Sequence, residues 1–228
     1  MARPRAFDEA EVLDRAMEVF WRHGYAGASF AELTKAMGLN SPSIYVAFGN
    51  KRGLFDAVLQ RYRTRRSAHR DAIMSAPTAR LVAERFLFGA VDWLVDPNEP
   101  LGCLTIQSGL AAGVAHDDVP QALANYRKAT REALARRLDQ AKVEGDLPPS
   151  ADPEALAKFL FAVFAGLAVQ AAEGLSKAEL QATAQLALNA WPTRTPDGEA
   201  GGFRSALSRD QAGLESGRRG ADPMPRQE

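Results

Sequence analysis

The stretch GLNSPSIYVAFGNK, Gly38 to Lys51, constrains the chain more than any other. Ser41 is a natural helix N-cap, Pro42 stands at the first helical position, where its missing N–H costs nothing, and Gly49-Asn50 breaks the chain again. The helix between is about seven residues long, whereas isolated helices need about 12 to 15 to persist in water, so neighbours must clamp it. Ile44 and Phe48, four apart, face inward. Ser41, Ser43, Tyr45 and Val46 point outward or along the edge, so the exposed side offers hydroxyls, one phenol and one small apolar group.

The neighbours are legible on both sides. Asp8 caps a first helix with Glu11 three residues on and Phe7 stapled to Val12; its apolar stripe runs through Leu13, Ala16, Met17 and Phe20, and Gly24 ends it. Ser29 with Glu32 repeats the capping box and starts a second helix that buries Phe30, Leu33 and Met37 and stops at Gly38. Asn50 caps a fourth, striped by Leu54, Phe55, Val58, Leu59 and Tyr62. Two helices joined by a short Gly turn, the second presenting an exposed polar face, form the helix-turn-helix pattern whose second member enters a DNA major groove. On spacing alone an ordinary helical hairpin fits equally.

Charge bears on that choice. From Met1 to Arg70 there are twelve Lys or Arg against seven Asp or Glu, and from Asp71 to Pro192 ten against fifteen, so a neutral total conceals a basic front and an acidic body. A polyanion partner for the front is the matching expectation. No unbroken apolar run approaches the roughly 18 to 20 residues of a membrane span, and the start MARPRAFDEAEV lacks the hydrophobic stretch of a signal peptide, so the expected location is cytoplasmic, with no membrane partner. A single cysteine, Cys103, excludes an intrachain disulfide and a multi-cysteine zinc site; no metal and no cofactor are expected.

DRAMEVFWRHGYAGASF followed by AELTKAMGLNSPSIYVAFGNKRGLFDAV resembles the N-terminal domain of the tetracycline-repressor (TetR) family, over Phe7 to about Tyr62 without gaps. The GY…S segment, the helix-three core around Ser43, Ile44 and Tyr45, the F-x-N-K linker and the L-F of helix four carry it. The resemblance implies an all-α, two-domain homodimer: a helix-turn-helix DNA-binding domain over 1–50 and a ligand-binding and dimerisation domain over 51–192, about nine helices in all. It also implies a transcriptional regulator, usually a repressor, that leaves a palindromic double-stranded operator when a small-molecule effector binds. Ser41, Pro42, Ser43, Tyr45 and Val46 fall where family members touch bases and phosphates, Lys51 where they touch phosphate, and Ser29 and Phe30 where helix two meets the backbone. The exposed face of helix three lacks Arg, Gln or Asn at its middle, so bidentate base pairs are absent there. Asn40 at the entry and an arm carrying Arg3 and Arg5 into a minor groove are the further candidates for specificity.

In the body, helices are expected over 79–95, 101–113 and 119–143, then from an Asp152-Pro153 start and from a Ser176–Glu179 capping box; Arg61 to Arg70 reads as a solvated basic face of a connecting helix. The stretch AKFLFAVFAGLAVQAAEG is apolar nearly all round and must be covered on two sides. A four-helix dimer interface follows, as in the family, with Ala162, Ala165, Gly166 and Ala172 admitting a twin helix beside Leu180, Ala184, Ala187, Leu188 and Trp191. Phe86, Phe88, Trp93, Ile106, Gln107, Tyr126, Phe161 and Phe164 are candidates for an effector pocket, alongside ordinary core packing. Cys103 has two readings. Gly102-Cys103-Leu104 at a helix start resembles a branch of the family in which a cysteine senses electrophiles, while its apolar setting suits a buried structural thiol. An enzyme built on Cys103 with His116 or Asp117 lacks any group to activate the thiol, and a helical binding module without sequence-specific DNA binding is the remaining alternative. Residues 193–228, rich in Gly, Arg, Ser and Pro without periodicity, read as a disordered tail.

Overall fold

The computed structural model describes residues 8–110 and 118–192. Arg3, Arg5, His116, Asp117 and the segment 193–228 lie outside the described residues. Among those described, every regular element is a helix. The front comprises α1 (Glu9–Gly27), α2 (Phe30–Met37), α3 (Ser41–Phe48) and α4 (Lys51–Arg65). The body comprises α5 (Ser67–Met74), α6 (Ala79–Leu94), α7 (Leu104–Leu110), α8 (Val119–Val143), α9 (Pro153–Ala172) and α10 (Lys177–Asn189).

Local chemistry sets most of these boundaries. The Asp8 carboxylate accepts from the N–H of Ala10 and Glu11, and capping boxes close on Ser29 with Glu32 and on Ser176 with Glu179. Gly24 leaves the helical region at φ 67° and kinks α1 where it was expected to end. Three boundaries differ from expectation. The N-cap of α3 is Asn40, not Ser41: its carbonyl takes the Ile44 N–H and its side chain the Ser43 N–H, so Pro42 moves into the second helical position. Helix α7 starts at Leu104 rather than 101, because Gly102 adopts φ +85° and its N–H returns to the Leu94 carbonyl. The tenth helix, α5, arises because the chain turns at Arg66 (φ −93°, ψ 4°) although no Gly or Pro marks a break. The cause is tertiary: Arg66 binds the carboxylate of Glu99 and lies over the Trp93 ring, 4.3 Å from its centroid.

One continuous core joins front and body. Phe20 and Phe55 meet edge to face at 5.0 Å, Trp21 and Tyr62 at 5.4 Å, and the Ser108 hydroxyl on α7 donates to the Phe20 carbonyl on α1. Ion pairs hold the same seam. Asp14 on α1 takes both Nε and Nη2 of Arg61 on α4, at 2.9 and 2.8 Å, and Arg52 on α4 pairs with Asp118 at the start of α8. The Arg61 hydrogen bonds hold the Asp14 carboxyl below its ordinary range.

Candidate DNA-binding surface and effector cavity

Helix α3 stands on two close approaches. Ile44 is fully buried, and the start of α4 presses so tightly on the end of α3 that a methyl at Gly53 would lie 2.1 Å from the Phe48 carbonyl oxygen. Gly53 is a site residue that sequence reasoning missed; its signal was a glycine inside a helix, which costs about 1 kcal/mol against Ala without a packing reason. What α3 leaves outside is the predicted set. Val46 is 90% exposed and Tyr45 52%, while Ser41 and Pro42 are exposed and Ser43 is half-buried. The Tyr45 ring stacks on Phe30 of α2 at 5.1 Å, which fixes the direction of its hydroxyl. Two predicted contacts are partly committed elsewhere: the Ser29 hydroxyl serves the capping box and the side-chain carbonyl oxygen of Asn40, itself an exposed residue, the α3 cap. Lys51 sits over the Tyr25 ring, 4.7 Å from its centroid, at the N-terminus of α4. Hydroxyl and phenol groups together with an ammonium at a helix N-terminus suit phosphate oxygens, and an exposed valine suits a thymine methyl.

Between α4 of the front and α5, α6, α8 and α9 of the body lies a partly open cavity of about 660 Å³. Of the residues named as effector-pocket candidates, Phe86, Trp93, Tyr126, Phe161 and Phe164 line it, and so does Cys103. Phe88, Ile106 and Gln107 do not. Phe88 lies two positions from Phe86 and so on another face of α6, and Ile106 is buried in the core. Gln107 donates to the Leu101 carbonyl at 3.0 Å, holding the α7 entry. The Phe164 ring touches Phe86, Trp93 and Phe161, with centroids 5.5 to 5.8 Å apart, and forms an aromatic floor. Cys103 is buried at the wall, 3.4 Å from the Tyr62 hydroxyl and 3.2 Å from that of Thr105. Burial drives the Tyr62 phenol well above its ordinary value and that of Tyr126 up to about 12, so both remain neutral donors at physiological pH. Tyr62, Arg66 and His69, all lining residues, went unforeseen: Tyr62 read as part of the apolar stripe of the fourth helix, and the segment around Arg66 and His69 as a solvated face.

Helix α9 is long and apolar enough on average to cross a membrane, which revises the expectation that no segment qualifies. In the fold one side packs on α6, α8 and α10, with Leu160, Phe164, Leu167 and Ala171 buried. The other leaves Ala162, Gly166 and Ala172 exposed and Ala165 half-buried, and a methyl on Gly166 would meet nothing within 4 Å. Leu180, Ala184 and Leu188 on α10, and Trp191 just beyond it, are buried within the protomer; on α10 Ala187 is half-buried and Leu186 stands 70% exposed.

Residues 12–58 match the model of "Bacterial regulatory proteins, tetR family", and 77–187 that of "Tetracyclin repressor-like, C-terminal domain". The HTH-type transcriptional repressor ComR of Escherichia coli K12 is 32% identical over 192 residues, covering 83% of this chain and 91% of ComR. The chain belongs to the tetR family of bacterial regulatory proteins. As a tetR-family member it is a DNA-binding transcriptional regulator and not an enzyme. The HTH-type transcriptional repressor BdcR of the same strain is 30% identical, over 81% of this chain and 89% of its own. Among solved structures, a cysteine mutant of the tetR-family regulator CifR complexed with a 26-bp double-strand operator DNA is 39% identical. It superposes with a TM-score of 0.77 over 83% of this chain and all of that one.

Proposed function

We propose that this tetR-family regulator is a repressor that binds a palindromic operator as a two-fold homodimer and leaves it when a small molecule occupies the cavity among α4, α5, α6, α8 and α9. The observation that carries the reading is the pairing of an exposed α3 face, braced by Phe30 and Gly53, with a 39%-identical relative held on operator DNA. On this reading Tyr45 and Lys51 take phosphates. Ser41, Pro42, Ser43, Val46 and the Asn40 amide face base edges, and Ser29 and Phe30 lie along the backbone. Arg3 and Arg5 serve as a minor-groove arm. The open strip Ala162–Gly166 on α9, with Leu186 on α10, meets a second copy rather than a bilayer, and Leu180, Ala184, Leu188 and Trp191 support that strip from beneath. Such a dimer sets its recognition helices about 34 to 36 Å apart, one turn of duplex. The protein acts in the cytoplasm, where the DNA is.

A gel shift against the DNA upstream of the protein's own gene, across a salt series, tests the reading. A specific complex with a steep salt slope is expected, since each neutralised phosphate adds to that slope. Equal affinity for operator and scrambled duplex at every salt concentration would leave only a binding module.

A further inference from the structure

The cavity wall is charged in one sense only. Arg63, Arg66 and Arg70 reach it from α4 and α5, Arg127 and Arg136 from α8, and among the described residues no Asp or Glu lines it. Glu99 lies outside the lining and is shared between Arg65 and Arg66. Arg70 reaches only the exposed Asp71, at 3.8 Å, and Arg63, Arg127 and Arg136 have no ion-pair partner among the described residues. Two donors buried in the wall, Arg66 Nε and Trp93 Nε1, lack any acceptor. Leaving a buried donor unmatched is unfavourable, and neither group can accept a hydrogen bond. The same cavity is lined by the aromatic cluster of Phe86, Phe161 and Phe164.

We propose that the cavity binds an amphipathic organic anion, a carboxylate on an aromatic or branched apolar body. The carboxylate lies among Arg63, Arg66 and Arg70 beside the Tyr126 hydroxyl, and the body lies on the floor at Phe164. This rests on the cavity being the effector site and adds the chemical class of the effector. All three arginines and Tyr126 line the same cavity, and the Tyr126 phenol, kept protonated by burial, can donate there. Burial and the neighbouring Arg131 push the Arg127 guanidinium down, so cations are crowded there already and an entering anion relieves them. A carboxylate gains charge-assisted, bidentate hydrogen bonds from arginine that an amide does not. An amine would place a further cation among five arginines. His69 adds a neutral imidazole, its pKa lowered by burial and by Arg66.

Calorimetric titration of the full chain with 2-naphthoate and 4-phenylbutyrate, each beside its primary amide and matching amine, decides the matter. At least one carboxylate binds tenfold or more tighter than its own amide, and the amines do not bind. The double variant Arg63→Gln, Arg70→Gln, at the solvent edge of the wall and checked for an unchanged melt, cuts that advantage at least fivefold and leaves amide affinity alone. Amides equal to their carboxylates in both pairs, or an advantage that survives the double variant, overturn the proposal. Operator release measured in parallel separates the two readings. Tight carboxylate binding without release keeps the ligand class and removes the effector role. Release by a neutral or cationic compound, with no carboxylate bound, keeps the repressor and removes the class.

Discussion

The hydroxyl of Tyr62, on α4, lies 3.4 Å from the sulfur of Cys103 at the entry of α7. The sulfur also meets the Thr105 hydroxyl at 3.2 Å. The two partners are therefore unequal. Tyr62→Phe removes a group whose partner keeps Thr105, and is expected to cost about 1 kcal/mol or less. Cys103→Ala leaves a phenol buried without its sulfur and opens a void, and is expected to cost roughly 1 to 3 kcal/mol. Urea melts of both variants check the order, and the reverse order would show that Cys103 is the more dependent member.

At the DNA face, Lys51→Ala is expected to lower the slope of log affinity against log salt by about one per protomer and to weaken operator and random duplex alike. Tyr45→Ala weakens both duplexes too, losing the Phe30 stack as well as its hydroxyl. Fluorescence anisotropy on the two DNAs at several salt concentrations reads this; an unchanged slope for Lys51→Ala would remove it from the phosphate contacts.

Gly53→Ala inverts the usual rule. In an unconstrained helix the change gains about 1 kcal/mol, but here the methyl would lie 2.1 Å from the Phe48 carbonyl oxygen, so α3 and α4 must separate. A lower melting temperature and an operator affinity reduced at least tenfold are expected. A variant that melts higher than its parent would show that the approach is not tight in solution.

Gly166→Glu puts a carboxylate where the protomer has open space, so the isolated fold should tolerate it. On a two-fold interface it sets two charges against each other without partners. Sedimentation at micromolar concentration is expected to show single chains with a native circular dichroism spectrum and operator affinity reduced at least a hundredfold. An intact dimer would move the interface off this strip.

Alkaline titration supplies a pH test with a defined sign. The Tyr126 pKa rises from 10 unfolded to about 12 folded, chiefly through burial, so above pH 10 the unfolded chain loses a proton that the folded chain keeps. The contribution is present in full below pH 10 and is lost as pH rises toward 12, up to roughly 2 to 3 kcal/mol. Melting temperature should fall across that window, and by less in Tyr126→Phe; equal falls in both proteins would assign the loss elsewhere.

The sequence by itself determined the punctuation of the fold and one functional surface. Asp8, Ser29, Asn50, Asp152 and Ser176 cap helices through bonds to residues two or three positions on, and the outward set of α3 follows from Ile44 facing in; both are local, so spacing reveals them. Only the tertiary structure decided the rest. The bend at Arg66 needs Glu99 and Trp93, some thirty residues away, and Gly53 is required by the Phe48 carbonyl in a neighbouring helix. Periodicity showed that α6 and α10 have apolar faces but not what covers them. Phe86 fell to the cavity and Phe88 did not, and Leu188 turned inward while Leu186 stayed out. A helix fixes which side chains share a face, whereas the helix that packs on that face, and at what angle, depends on contacts distant in sequence that no single window contains.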